Sequence, residues 1–183
     1  MSQEVEAPSA ESEHDGEIDY KKTYAIVGEL VLIASALDYQ LAEILVEAAH
    51  LGSSPMIMPV VLTLDAARKV EILKRRAQLI TAEDWRKGLT RHVEKVEKVF
   101  KQRNLACHMP PALEKGKWVL RPLAAAKMFK AIDLDTKTLE AFKIDDLAEA
   151  ISLGETALGE GAVVLENFRR GTAELDKRKA QGK

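Results

Sequence analysis

At 183 residues the chain is long enough to bury a sizeable core in one domain, and its single cysteine, Cys107, excludes an internal disulfide framework and fits a reducing compartment. A net charge of -2 does not describe a constitutive nucleic-acid coat protein. With no basic region leading into an apolar run, and with the most apolar stretch (Ala25 to Leu37) short and interrupted by Glu29, a cytoplasmic protein with no membrane contact is expected.

Residues 1–20 carry Glu4, Glu6, Glu11, Glu13, Asp15, Glu17 and Asp19 and no Lys or Arg, a net of -7 with almost no apolar residues, and read as a disordered acidic tail. Residues 21–170 then form one helical domain. Its first helix is expected from about Asp19 to His50. Apolar residues recur at helical spacing at Tyr24, Val27, Val31, Ala34, Leu41, Leu45 and Ala48, and Ile26, Leu30, Ile33, Leu37 and Ile44 widen the stripe. A helix apolar over so much of its girth belongs at the centre of a bundle or at a dimer seam, and Gly52-Ser-Ser-Pro55 ends it. Asp38 falls in phase with the stripe. Either it sits at the edge in a local network, or it faces a basic site and orients a cationic group there.

A second helix is predicted from Thr63 or Asp65 to Ile80. Thr81-Ala-Glu-Asp84 resembles a capping box that starts a third, running to about Cys107. Leu89, Val93, Val96 and Phe100 form the core stripe of that helix, and Arg103 and Cys107 continue it. Arg103 thus points to the packed side or to a partner and needs an anion, a carboxylate or a phosphate. Cys107 is expected in the core. Between Asp65 and Arg103 there are twelve basic and six acidic residues, a local excess of +6. The excess fits solvated helix faces with Glu94/Lys98 and Glu97/Lys101 pairs, or a positive field for a polyanion. Pro110 stops the helix, because its ring opposes the Ala106 carbonyl and Met109 is pushed out of helical geometry.

The end of this helix, Lys101-Gln-Arg103-Asn104-Leu-Ala-Cys107-His108, contains R-N-x-x-x-H. With ten Arg, two Asn and four His in the chain, that pattern arises by chance about 0.002 times. The segment resembles the signature of the HEPN family (higher eukaryotes and prokaryotes nucleotide-binding). The resemblance extends over roughly Thr23 to Arg170, although His108 is followed by Met109-Pro110-Pro111 where many members have glycine. It implies an all-α bundle, commonly dimeric, acting as a metal-independent endoribonuclease with no cofactor. RNA supplies the 2′-OH nucleophile. His108 would serve as general acid or base, Arg103 would stabilise the charged phosphate oxygens, and Asn104 would hold His108 or the phosphate, with Asp38 and Lys101 in support. Arg103 and His108 lie about 140° apart on an ideal helix, so a site at the groove of a homodimer is expected. The partners implied are RNA, a second copy, and a nucleotidyltransferase-like antitoxin, in toxin–antitoxin or phage-defence roles. The alternative is a non-catalytic interaction module in which Arg103 and His108 only stabilise the dimer.

His14, His50 and His92 have no ligand spacing, so no metal site is expected. Beyond the motif, Trp118–Pro122 and Ala126–Leu134 read as two extended segments of a small β-hairpin. Gly159-Glu-Gly161 marks a kink or close packing within a last helix that Asp145 or Asp146 caps and that runs to about Arg170. Leu147, Ile151, Leu158, Val164 (or Leu165) and Phe168 are its core candidates, and residues 171–183 form a fraying polar tail.

Overall fold

A computed structural model describes residues 10–52, 54–114, 117–120 and 142–182. Helix accounts for 83% of them, which makes the fold all-α. The first helix, α1 (Ala10–Ala48), starts inside the segment expected to be disordered. Acidic composition disfavours burial but not helix. Glu is a good helix former, so α1 extends backward from its packed half. The helix ends in a Schellman motif. The Leu51 amide donates to the Val46 carbonyl at 2.9 Å and the His50 amide to Glu47 at 3.0 Å. His50 takes the left-handed conformation at φ 55°.

The buried line of α1 is Leu30, Ala34, Leu37, Leu41, Ile44 and Ala48, so the residues expected to widen the stripe form much of its centre. Tyr24, placed in the stripe by spacing alone, is half exposed. By length and composition Lys21–Ala48 is apolar enough to cross a membrane, longer than the stretch singled out above. In the folded chain Leu30, Leu37, Leu41 and Leu45 fill the interior of the bundle, while Leu32 is exposed.

A short helix that periodicity did not announce, α2 (Ile57–Leu62), leads into α3 (Ala66–Gln78). Asp65 caps α3, its carboxylate accepting from the Arg68 amide at 2.7 Å. The third long helix, α4 (Glu83–His108), begins one residue later than the capping-box reading, with Thr81 as the cap, placed it. Ala82 occupies the cap without a side-chain bond, and Glu83 and Asp84 favour the first turn through the dipole instead. Leu89, Val93, Val96 and Phe100 are buried as expected, joined by His92 and Val99.

After α4, β1 (Pro111–Glu114) pairs antiparallel with β2 (Lys117–Leu120), Pro111 opposite Leu120 and Glu114 opposite Lys117. A two-residue β3 (Phe142–Lys143) adds to β2, with Leu120 opposite Phe142. A hairpin therefore forms, but its first strand is Pro111–Glu114; Ala126–Leu134 lies outside the described residues. The last helix, α5 (Ile144–Ala180), continues ten residues past the expected end. No proline interrupts that stretch, and Lys177, Arg178 and Lys179 suit the negative end of the dipole.

Two glycines of α5 set the packing. A Cβ at Gly154 would strike the Ile33 side chain and meet Val99, and one at Gly161 would strike Gln40 and lie 2.6 Å from His92 Cε1. These contacts align Ile33 with Val99 and Gln40 with His92. Thus α1 and α5 run in the same sense and α4 runs against both. Leu147, Ile151, Val164, Leu165 and Phe168 bury the inner face of α5, Leu158 is partly buried, and Phe168 meets Trp85 edge-to-face at 5.8 Å between ring centres.

His92 is fully buried in this interior, and neither of its ring nitrogens completes a hydrogen bond. Burial lowers its pKa from 6.5 to about 4, outweighing the Ala157 carbonyl and Glu160, which favour the protonated ring, while Lys95 opposes it. The unfolded chain takes up this proton near pH 6.5, whereas the folded chain refuses it until about pH 4. The neutral ring's advantage is therefore fully present above that range and is lost as pH falls. Urea titrations of the wild type across this interval should lose about 3 kcal/mol of stability through His92, and His92→Leu should remove most of that slope while remaining folded.

Candidate functional site at the end of α4

Pro110 fixes the place where α4 stops. Met109, driven to φ -113° and ψ 113°, leaves the helix and buries its side chain. The last two turns present Lys101, Asn104 and His108, all exposed. Their spacing of three and four residues places them within about 60° of one another on one helix face. Arg103 is not on that face. It stands nearly in line with Val96, one of the buried core residues, and is only partly exposed. Its Nε is enclosed without a hydrogen-bond partner, as is Oε1 of the neighbouring Gln102.

Of the residues named from sequence, the fold thus brings Lys101, Asn104 and His108 together and turns Arg103 away. Among the described residues no hydrogen bond or ion pair joins Arg103, Asn104 and His108. Cys107 was expected in the core, yet it is exposed. The helix rolls the Ala106 side chain into that space, where Met109 and Leu120 are also buried.

Asp38 does not orient this site. Both its oxygens accept from Lys69 Nζ at 2.9 Å, and Lys69 is fully buried. The alignment of α1 against α4 explains why. Arg103 lies opposite about Glu29, so Asp38 sits nine residues, or roughly 13 Å, further along α1. Its partner comes from α3, 31 residues on in sequence. Of the two readings the sequence allowed, the local network is the one found.

The basic excess is mostly neutralised away from the end of α4. Glu71 pairs with Arg68 and Arg75, Glu97 with Lys74, Glu83 with Lys87, and Glu160 with Lys95 and Arg91. Arg76 donates to the Ala48 carbonyl. The expected Glu97/Lys101 pair is not made, because Glu97 reaches across to α3 at 2.7 Å. Among the described residues Lys98, Lys101 and Arg103 have no carboxylate partner. Asp146 and Glu149 of α5 line a groove with Lys98 and Lys101 without pairing with either.

Beside this face a groove of about 600 Å³ opens between α1 and the end of α4. Tyr24 and Val27 line one wall, Cys107 and His108 the other, and Met109 and Leu120 lie along it. Sequence reasoning had no signal for this groove, because it depends on Tyr24 lying off the core stripe. Nor did it single out Lys69 or His92, whose burial comes from partners far away in sequence. Among the described residues no three His, Cys, Asp or Glu side chains converge as a metal site would require. No family model, curated protein or solved structure matches the chain.

Two measurements check this geometry. Asp38→Ala strands a buried ammonium and should cost about 2–4 kcal/mol in urea unfolding, more than Lys69→Met, which removes the charge with the pair. Cys107 should react stoichiometrically with a disulfide reagent such as DTNB in the folded protein, at a rate that does not rise toward the urea transition. A thiol that reacts only on unfolding would place it in the core.

Proposed function

We propose that the chain is a metal-independent endoribonuclease of the HEPN type, acting as a homodimer in the cytoplasm. The observation that carries this reading is the row Lys101, Asn104 and His108 on one exposed face just before Pro110, in a stretch of α4 whose Lys98, Lys101 and Arg103 form no ion pair among the described residues. In the reaction, His108 accepts the proton of the 2′-OH as that oxygen attacks the adjacent phosphorus, or donates one to the departing 5′-oxygen. Lys101 and Arg103 offset the charge growing on the non-bridging oxygens, and Asn104 holds His108 or the phosphate. The products are a 2′,3′-cyclic phosphate and a 5′-OH.

A second copy answers the one misfit in the single chain, the angle of about 140° between Arg103 and His108. It would bring the Arg103 of one protomer toward the His108 of the other and give Arg103 Nε its anionic partner. The outer face of α1 supports an assembled state: Leu32 is 73% exposed and Tyr39 52% exposed. Only 28% of the most apolar window of α1 is buried within the chain. The biological setting that fits such an enzyme is a toxin or defence effector, held silent by a nucleotidyltransferase-like antitoxin. The same uncovered face favours one other reading, an interaction module in which Arg103 and His108 serve only the assembly.

Cleavage of labelled total RNA and tRNA in EDTA decides between them. Wild type should cleave, leaving 2′,3′-cyclic phosphate ends. Arg103→Ala and His108→Ala should each lower the rate by roughly a hundredfold or more with the dimer intact by sedimentation. A dimer that cleaves nothing, or that cleaves equally well in both variants, would favour the interaction module.

A further inference from the structure

A second groove, of about 580 Å³, lies between α4 and α5. Lys98, Lys101 and Gln102 line it from α4, and Asp146, Glu149 and Leu153 from α5. Opposite charges thus share one cleft, yet Lys98, Lys101 and Glu149 form no ion pair among the described residues. The helix register explains why. Gly154 packs on Val99 and α5 runs against α4, so Glu149 stands opposite about Asn104, three residues past Lys101 and six past Lys98. Along the axis that is roughly 5 Å from one lysine and 9 Å from the other, and the width of the cleft adds to both. The groove is therefore positive at its Lys98 end and negative at its Glu149 end.

We propose that this groove docks an extended segment of a partner protein, one that carries an acidic side chain and, two residues along, a basic one. A polyanion laid along the cleft would meet Glu149, and a polycation would meet Lys98 and Lys101. Only a ligand with one charge of each sign complements both ends. In an extended chain, side chains two residues apart share a face and stand about 7 Å apart, between the two axial spans, whereas side chains three residues apart face opposite sides. Two further features suit a peptide. Gln102 Oε1 is enclosed without a donor, an acceptor that a backbone N–H can satisfy. Leu153 offers apolar surface to the stems of the charged side chains. Asn104 and His108 do not line this groove, so the inference stands apart from the ribonuclease reading.

NMR titration of the isotope-labelled full chain with an end-blocked peptide centred on Glu-Val-Lys tests the assignment. The amide resonances of Lys101, Gln102 and Glu149 should shift, with a Kd of about 1 mM or below. Peptides with Gln in place of the Glu or of the Lys, and one with two residues between the charges, should each bind at least about fivefold more weakly. Glu149→Gln should weaken the Glu-Val-Lys peptide to a similar degree. Glu149→Lys should reverse the preference, so that a peptide centred on Glu-Val-Glu binds more tightly than Glu-Val-Lys, with circular dichroism reporting that both variants are folded. No shift at these amides, equal binding of singly and doubly charged peptides, or an unchanged preference in Glu149→Lys overturns the docking site, whether or not the protein cleaves RNA.

Discussion

The close approach of α5 to α1 and α4 at Gly154 and Gly161 sets the position of everything else in the bundle. A side chain at either glycine would overlap α1 directly, so the three helices meet in one axial register. In that register Gln40 is enclosed with His92, and its amide donates to the Leu158 carbonyl at 3.0 Å. Fourteen residues later on α4, the same register brings Ala106 to Met109 beside Thr23 to Val27, creating the groove. Sliding α1 by one turn would carry Tyr24 away from the groove and would also break the pair that holds Lys69. The interior polar contacts and the candidate site are thus two consequences of one packing decision, although they lie at different levels of the bundle.

That register also decides what the charges can do. Exposed ion pairs along α3 and α4 contribute little to stability one by one. Their larger effect is on where positive charge remains. Glu83 of α4 and Glu160 of α5 pair with Lys87, Arg91 and Lys95, and no carboxylate among the described residues forms an ion pair with Lys98, Lys101 or Arg103, although Asp146 and Glu149 line a groove with Lys98 and Lys101. A net charge of -2 for the whole chain therefore coexists with unpaired cations near the end of α4. Interaction with a polyanion would be focused there and not spread over the surface.

Much of the fold was legible in the sequence because its signals are local. Periodicity located the long helices, the Asp65 cap is satisfied three residues away, and Pro110 acts on its immediate neighbours. The failures came where a local pattern competed with a distant contact. Asp38 in an apolar phase announced a partner but could not say that the partner was Lys69 and not Arg103. His92 looked like any helix histidine until the absence of a side chain at Gly161 gave its ring space. The acidic residues from Ala10 onward and the basic residues up to Ala180 lie in helix, because charge reports on solvation and not on backbone conformation. For the site, spacing gave the divergence of Arg103 from His108. It gave neither the exposure of Cys107 nor the groove, both of which depend on how the end of α4 seats against α1.

Arg103 carries the remaining argument. A guanidinium in phase with Val96 replaces the aliphatic residue that a helix packed on its own bundle would place there. Its enclosed Nε lacks an acceptor, and leaving such a donor unmet costs more than an average hydrogen bond returns. An isolated chain gains nothing from that arrangement. It becomes favourable once an anion enters from outside, as a phosphate or as a carboxylate of another chain, and the cost of the unmet donor then turns into a preference for the assembled state. Asp38 does not relieve the cost, because the register of α1 against α4 places it roughly 13 Å further along the helix, where it binds Lys69. That register thus leaves Arg103 available to a partner.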